Sequence, residues 1–483
     1  MKNKIKETIQ ERLQTVQASA DHPRYHLAAD IGWISDPNGL CEHNGEVHLF
    51  HQYTPADDKG LNKSWGHWTT KDWVRFTDEG TLMTPDSWMD KDGCYSGSGY
   101  SDGEKLHLFY TGNILEEGDH DYIRSGRGHY VNHLASENGR DFSEKENWMK
   151  NEDYPAHMSN HVRDPKICTL DGQTYMIIGA RTLDDEGCAL LYTLDVNDKD
   201  SVKFVQEIHS DKKNADGTPF YGYMWECPDL FELDGKTIMA ACPQGMKKVP
   251  NKIENIYQSG WFAMEGDAKD GTLKPGAFDL LDYGFDFYAP QTFEDSQKRR
   301  VLVGWMGMPD ADYTNPETKD LWVHQFTLPR QMWMENGRLH QFPIEEVLGL
   351  KANEKRIDLQ PGVALPLDSS VFALDLWNEN KPFVLDIRHD ARLIYDGKLF
   401  TLQLGESGAG RKERHVEIDS LESLSIFSDS SSLEIFLNEG EYVLSSRIYD
   451  AGKPLSLKSD TELSGSLWEM NGIELDFSKV LAD

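Results

Sequence analysis

The sequence predicts an all-β chain, a five-bladed β-propeller followed by a C-terminal β-sandwich. Three observations predict it. Five segments read as strand, tight turn, strand, with turns at Asn44-Gly45, Asp102-Gly103, Asp171-Gly172, Asp234-Gly235 and the polar run Asp295-Ser296-Gln297-Lys298. The turns stand about 60 residues apart, longer than the roughly 40 to 50 of common propeller repeats, which leaves room for long loops. Beyond about residue 355 the pattern changes to short alternating strands parted by Asp, Gly and Ser clusters, the spacing of a sandwich.

Each element has its own reason. Residues 1–24 read as a helical segment, with Ile5, Ile9 and Leu13 spaced by four on one face. The propeller is expected over 25–335. Asn-Gly and Asp-Gly adopt the positive φ that two-residue hairpins require. Their flanks, such as Leu106-His107-Leu108-Phe109-Tyr110 and Val301-Leu302-Val303-Gly304-Trp305, are alternating or densely β-branched and aromatic. Residues 336–355 read as a linker whose short helix, Ile344 to Leu350, follows Pro343. The sandwich is expected over 356–483, with a hairpin at Asp396-Gly397. It shows no cluster of reactive side chains, so its expected role is structural or in homo-oligomer contact.

Lys and Arg number 49 against 82 Asp and Glu, a net charge of −33. That field repels nucleic acid and anionic membranes, and no basic stripe offsets it. The first residues, Met1 to Leu13, carry charge throughout with no apolar core of signal-peptide length, and no later stretch approaches a membrane span. A cytoplasmic location is expected. The six cysteines lack a Cys-x-x-Cys pairing and read as reduced core residues. Cys227 has no identifiable ordering His or Asn, and His48, His51 and His67 lack a ligand spacing with a third partner. Nothing calls for a metal or cofactor.

Three acids stand one or two positions before a proline: Asp36 before Pro37, Asp164 before Pro165, and Glu226 before Cys227-Pro228. Each lies seven or eight residues upstream of its turn pair. Equal phase in a repeated unit means equal position in space. The first strand of every blade lines the central channel, so the three acids are expected to meet at one end of it. Proline biases its surroundings toward extended backbone and lacks an N–H, which suits a strand end.

Two carboxyl groups facing across a gap are what glycoside cleavage needs, one ionised and one protonated. Aromatic residues crowd the same motifs: Trp33, Trp65, Trp68, Tyr95, Trp225, Phe287, Tyr288 and Trp305. Some are expected to hold a sugar ring and others to pack the core. Glu226, flanked by Trp225 and Cys227, is expected in a less polar setting that raises its pKa and suits proton donation. Asp36, in a polar turn, is expected ionised.

The segments Trp33-Ile34-Ser35-Asp36-Pro37-Asn38-Gly39, Tyr95-Ser96-Gly97-Ser98-Gly99, Arg163-Asp164-Pro165-Lys166, Glu226-Cys227-Pro228-Asp229 and Gly284-Phe285-Asp286-Phe287-Tyr288-Ala289-Pro290-Gln291 resemble, in order, the motifs of glycoside hydrolase family 32, the invertases and fructan hydrolases. Ser432 to Glu441 resembles a stretch of that family's sandwich. The resemblance extends to bacterial sucrose-6-phosphate hydrolases through Gly222 to Pro228 and Val301 to Gly307.

The resemblance implies retaining hydrolysis of β-fructofuranosidic bonds, in sucrose 6-phosphate or sucrose. It makes Asp36 the nucleophile, Glu226 the acid and base, and Asp164 the stabiliser of the transition state. Ser35, Gln52, Tyr95, Ser96, Arg163 and Asp286 match positions expected to bind the sugar. Two positions depart from the family. Ser35 stands where Asn is usual, and Gly60 stands where a pocket Trp is usual, so a wider or differently bonded fructose subsite is expected. Cations for a phosphorylated substrate are sought at Arg124, Arg127, Lys247, Lys248 and Lys252. Other readings are hydrolysis of short fructans or another furanoside, and a sugar-binding protein without turnover.

Overall fold

The computed structural model describes residues 11–55 and 59–481. Five antiparallel units of four strands follow one another along the chain, the first extended to six by two short parallel strands, Trp322–Val323 and Glu474–Asp476. Their innermost strands are Gly32–His43, Cys94–Ser101, Met158–Leu170, Met224–Leu233 and Tyr288–Glu294. These strands touch in sequence and the fifth touches the first, which closes a five-bladed propeller. At three blades both turn residues have positive φ, as at Asn44 (53°) and Gly45 (72°). That is the twist a two-residue hairpin needs to match its strands. Asp102 instead opens a longer loop and accepts the backbone N–H groups of Glu104 and Lys105 at 2.8 and 2.7 Å.

One irregularity recurs in every innermost strand. Two residues stand opposite one at Ser35-Asp36, Tyr95-Ser96, Asp164-Pro165, Cys227-Pro228 and Ala289-Pro290. Such bulges bend a strand and re-aim its side chains. Asp164, Cys227 and Ala289 adopt φ of 67°, 48° and 46° there. The prolines therefore do not mark strand ends, and the residues before Pro165 and Pro228 are not extended. They sit mid-strand, where the bulge already interrupts the ladder and a missing N–H costs little.

Beyond the propeller, two six-stranded sheets face each other. Alternate residues such as Leu374, Leu385, Leu393, Leu402, Ile426 and Ile435 fill the space between them, as expected when side chains alternate across a strand. The borders lie differently from the sequence expectation. Arg338–Pro343 is the outer strand of the fifth blade, because Arg330–Glu335 pairs with it. The first sandwich strand, Lys351–Leu359, begins before 356. Glu474–Asp476 leaves the sandwich and pairs in parallel with Arg75–Met83, on the outside of the first blade. Residues 11–17 are helical, with Leu13 and Val16 buried, whereas Ile5 and Ile9 lie outside the described residues.

Propeller and sandwich are joined by buried charge. Asp429 accepts the backbone N–H groups of Arg24 and Tyr25 at 2.8 and 2.9 Å. The His26 ring bridges Asp429 and Glu434 at 2.8 and 2.9 Å. Arg330 reaches Glu434 at 2.5 Å and Asp282 at 3.1 Å.

Candidate active site

The bulges gather the predicted acids. Asp36, Asp164 and Glu226 line one cavity of about 530 Å³, together with Gln52, Tyr95, Ser96 and Arg163. A second cavity, about 340 Å³, lies along the later residues of the same inner strands, including Cys41, Lys166 and Asp229. The acids thus share one mouth of the channel.

Asp36 is held from its own blade and the next. Ser96 donates its hydroxyl to Asp36 Oδ2. Gln52 Nε2 lies 2.6 Å from Ser96 Oγ. Gln52 Oε1 accepts from Lys63 Nζ at 2.8 Å and from Ser35 Oγ at 3.1 Å. Burial pushes the Asp36 carboxyl above its ordinary range, opposed by the Lys63 charge and the Ser96 hydrogen bond.

Glu226 is gripped on both oxygens. Arg163 donates to Oε1 through Nε at 3.0 Å and Nη2 at 2.6 Å. Gln244 Nε2 and the Tyr288 hydroxyl donate to Oε2 at 2.7 and 2.6 Å. The apolar setting expected for this acid is absent. Neighbours along a strand face opposite ways, and Trp225 turns into the core, where its Nε1 donates to the Tyr221 carbonyl at 3.0 Å.

Asp164 Oδ2 accepts the Cys227 backbone N–H at 3.0 Å. Burial raises the Asp164 carboxyl, Arg163 opposes the rise, and the neighbouring Glu226 charge adds to it. Arg163 is further steadied by His161 Nδ1 at 2.7 Å. Burial, then the charges of Arg163 and Arg127, hold His161 down at about 3, so the ring is a neutral acceptor. The Cys227 thiol is held well above its ordinary value by Cys242, burial and the Asp164 charge, an environment that opposes a thiolate nucleophile.

Two residues expected to bind the sugar do not line the cavity. Ser35 is buried and its hydroxyl is committed to Gln52. Asp286 is buried beside the sandwich, where Arg411 Nη1 reaches it at 2.7 Å and the Arg447 backbone N–H at 2.8 Å. Its link to the cavity runs through the Tyr313 hydroxyl, 3.2 Å away, since Tyr313 is a lining residue. The space beside Gly60 is occupied: a Cβ added there would stand 3.0 Å from Trp33 Nε1. Among the expected aromatics, Trp33, Tyr95, Tyr288 and Trp305 line the cavity, while Trp65, Trp68, Trp225 and Phe287 pack in the core.

Of the sought cations only Arg127 lines the cavity. Arg124 bonds the Leu183 carbonyl at 3.2 Å, and Lys247 and Lys252 pair with Asp216 and Asp279. Sequence reasoning missed Lys63, Gln244 and His324. Lys63 directly precedes Trp65's strand, Ser64–Thr70, and Gln244 ends the strand Lys236–Gln244. Those strand ends were the available signal. Among the described residues, no group of three His, Cys, Asp or Glu side chains is arranged to hold a metal ion.

Residues 26–343 match the model for the Glycosyl hydrolases family 32 N-terminal domain, and residues 351–471 match that for Glycosyl hydrolases family 32 C terminal. The chain belongs to glycoside hydrolase family 32. This family 32 hydrolase is 35% identical over 460 residues to a sucrose-6-phosphate hydrolase of Bacillus subtilis (strain 168), covering 93% of each chain. It is 34% identical over 484 residues to a raffinose invertase of Escherichia coli, covering 95% of this chain and 97% of the relative. Among solved structures it resembles the sucrose-6-phosphate hydrolase of Lactobacillus gasseri, with TM-score 0.87, 26% identity and coverage of 97% and 96%. A Bombyx mori family 32 beta-fructofuranosidase mutant in complex with sucrose gives TM-score 0.84, 28% identity and coverage of 98% of each chain. Among the described residues, no helix is long and apolar enough to cross a membrane.

Proposed function

We propose that this family 32 enzyme hydrolyses a β-fructofuranosidic bond with retention, in sucrose 6-phosphate or sucrose. The observation that carries the reading is the shared cavity of Asp36 and Glu226, with Asp164 between them in blade order. The names of the relatives supply the substrate class.

The Asp36 carboxylate attacks the anomeric carbon of the fructosyl unit, and the bond to the leaving oxygen breaks as Glu226 delivers a proton to it. Water then attacks the fructosyl ester, Glu226 takes the proton of that water, and Asp36 is released. Both inversions occur at one carbon, so configuration is retained. Arg163 and Gln244 aim the Glu226 carboxyl, and Asp164 faces the positive charge that develops on the sugar ring. Retention calls for about 5 to 5.5 Å between the two carboxyl groups.

Replacing Asp36 or Glu226 with Ala is expected to lower turnover by about 10²- to 10⁴-fold, and proton NMR of the first-formed fructose should show the β anomer. Near-normal turnover in either variant sinks the assignment, and an inverted product sinks the retaining route.

Arg127 is the cation proposed to recognise a phosphorylated glucosyl unit, held by Asn113 Oδ1 at 3.0 Å. Catalytic efficiency should be higher on sucrose 6-phosphate than on sucrose, and Arg127→Ala should narrow the gap. Equal efficiencies in the parent enzyme remove the phosphate preference.

A further inference from the structure

The proposed mechanism leaves His324 unused, although its ring stands in the cavity wall. The residue has φ of 76°, a left-handed conformation that is costly for most side chains and clusters at functional sites. Only 3% of it is exposed. The ring packs edge-on to Trp33 and Trp305, with centroids 4.3 and 5.0 Å away. Burial, then the charges of Arg447 and Lys63, hold it well below the usual imidazole range, so it is neutral near pH 7. Its Nδ1 faces Asn315 Nδ2 at 3.5 Å.

Its other nitrogen has no such neighbour. His324 Nε2, Trp33 Nε1 and Trp305 Nε1 are all buried without a hydrogen-bond partner among the described residues. All three belong to side chains that line the same cavity. Buried polar atoms are nearly always paired, and a buried orphan is destabilising. Three such atoms on one wall call for a ligand rich in hydroxyl groups. Each indole N–H donates to an oxygen, and a neutral imidazole nitrogen matches a hydroxyl in either tautomer.

Resting on the fructosidase reading, we propose that His324 is a specificity-determining residue whose Nε2, beside the indole N–H groups of Trp33 and Trp305, hydrogen-bonds a hydroxyl of the bound fructosyl unit. The Gly60 departure fits the arrangement. Trp33 occupies the space beside Gly60, and the His324 ring packs against that same Trp33.

The test uses sucrose as substrate and fructose as product inhibitor. His324→Phe keeps the ring and removes both nitrogens. KM for sucrose and the inhibition constant of fructose should rise together by about tenfold, with inhibition by glucose unchanged. Should that variant fold poorly, His324→Asn serves, because Asn tolerates positive φ, and it should weaken fructose inhibition in the same way. A purely packing role predicts a changed melting temperature with KM and fructose inhibition within twofold of the parent, and that result in the folded variants overturns the inference. A parent protein that cleaves neither sucrose nor sucrose 6-phosphate and does not bind fructose overturns the fructosidase reading and this inference with it. Fructose binding that is strong in the parent and equally strong in His324→Phe overturns the inference alone.

Discussion

Every link from Lys63 to Asp36 donates toward the carboxylate. Lys63 donates to Gln52, Gln52 to Ser96, and Ser96 to Asp36. Burial alone disfavours the charge that a nucleophile needs. Lys63 opposes that effect, so removing its charge should raise the Asp36 pKa. Glu226 and Asp164 also face this carboxyl and add negative charge, and they remain in the variant. In the proposed mechanism Asp36 works ionised, so a higher pKa costs activity on the acid side. Lys63→Met should therefore move the acid limb of kcat/KM up by about 1 pH unit, and Lys63→Arg should bring it back. A limb that stays in place in Lys63→Met refutes this role. The meeting of Asp36, Asp164 and Glu226 was legible in the sequence because each stands seven or eight residues before a turn pair. Lys63 and His324 were not. Their roles arise where separate segments meet, and no local periodicity records that meeting.

The recurring bulge is the element that turns five similar strands into a site. It places Asp36 second in its bulge, Asp164 first, and Glu226 just before. Side chains from three blades are thereby aimed into one volume. The bulge in turn depends on close backbone contact between blades. A Cβ on Gly179 would stand 2.1 Å from the Trp225 carbonyl oxygen, one residue before Glu226. Gly179→Ala should destabilise the protein by about 1 to 3 kcal/mol, read by denaturant unfolding, and should also lower kcat/KM. Gly235→Ala is the contrast. Its φ is 75° with nothing within 4 Å of the added Cβ, so stability should fall by about 1 kcal/mol with activity intact. Equal losses of activity in the two variants would contradict the link between backbone contact and site geometry. Hairpin turns could be read in advance because positive φ selects Asn, Asp and Gly. The bulges could not, since a two-against-one register is a property of paired strands, and proline alone suggested an ending.

At the scale of the molecule, the sandwich is docked through ions that water does not reach. Burial works against a charged His26, yet Asp429 and Glu434 hold its pKa at about 9. Both partners are correspondingly held below their ordinary range, burial being outweighed by His26 and, for Glu434, by Arg330. A histidine with a raised folded pKa contributes stability that is full below its unfolded value near 6.5. That contribution is lost as pH climbs through about 9. The shift corresponds to roughly 3 kcal/mol. Melting temperature should decline between those pH values, and His26→Gln should flatten the decline while lowering stability at pH 6. An unchanged slope in the variant would contradict the assignment. The two-part architecture was legible from the change of strand spacing near residue 355. The clasp was not, because a lone histidine and two acids some 400 residues downstream give no pattern in one dimension.

The parallel pairing of Glu474–Asp476 with Arg75–Met83 constrains the order in which the molecule is assembled. On the ribosome the first blade emerges early, but the segment that pairs with Arg75, Phe76 and Thr77 on its outer edge is translated only after the sandwich strands that precede it. Until then that edge keeps its backbone groups unpaired, and an unpaired edge is a template for other chains. The earliest part to be synthesised is thus among the latest to be finished.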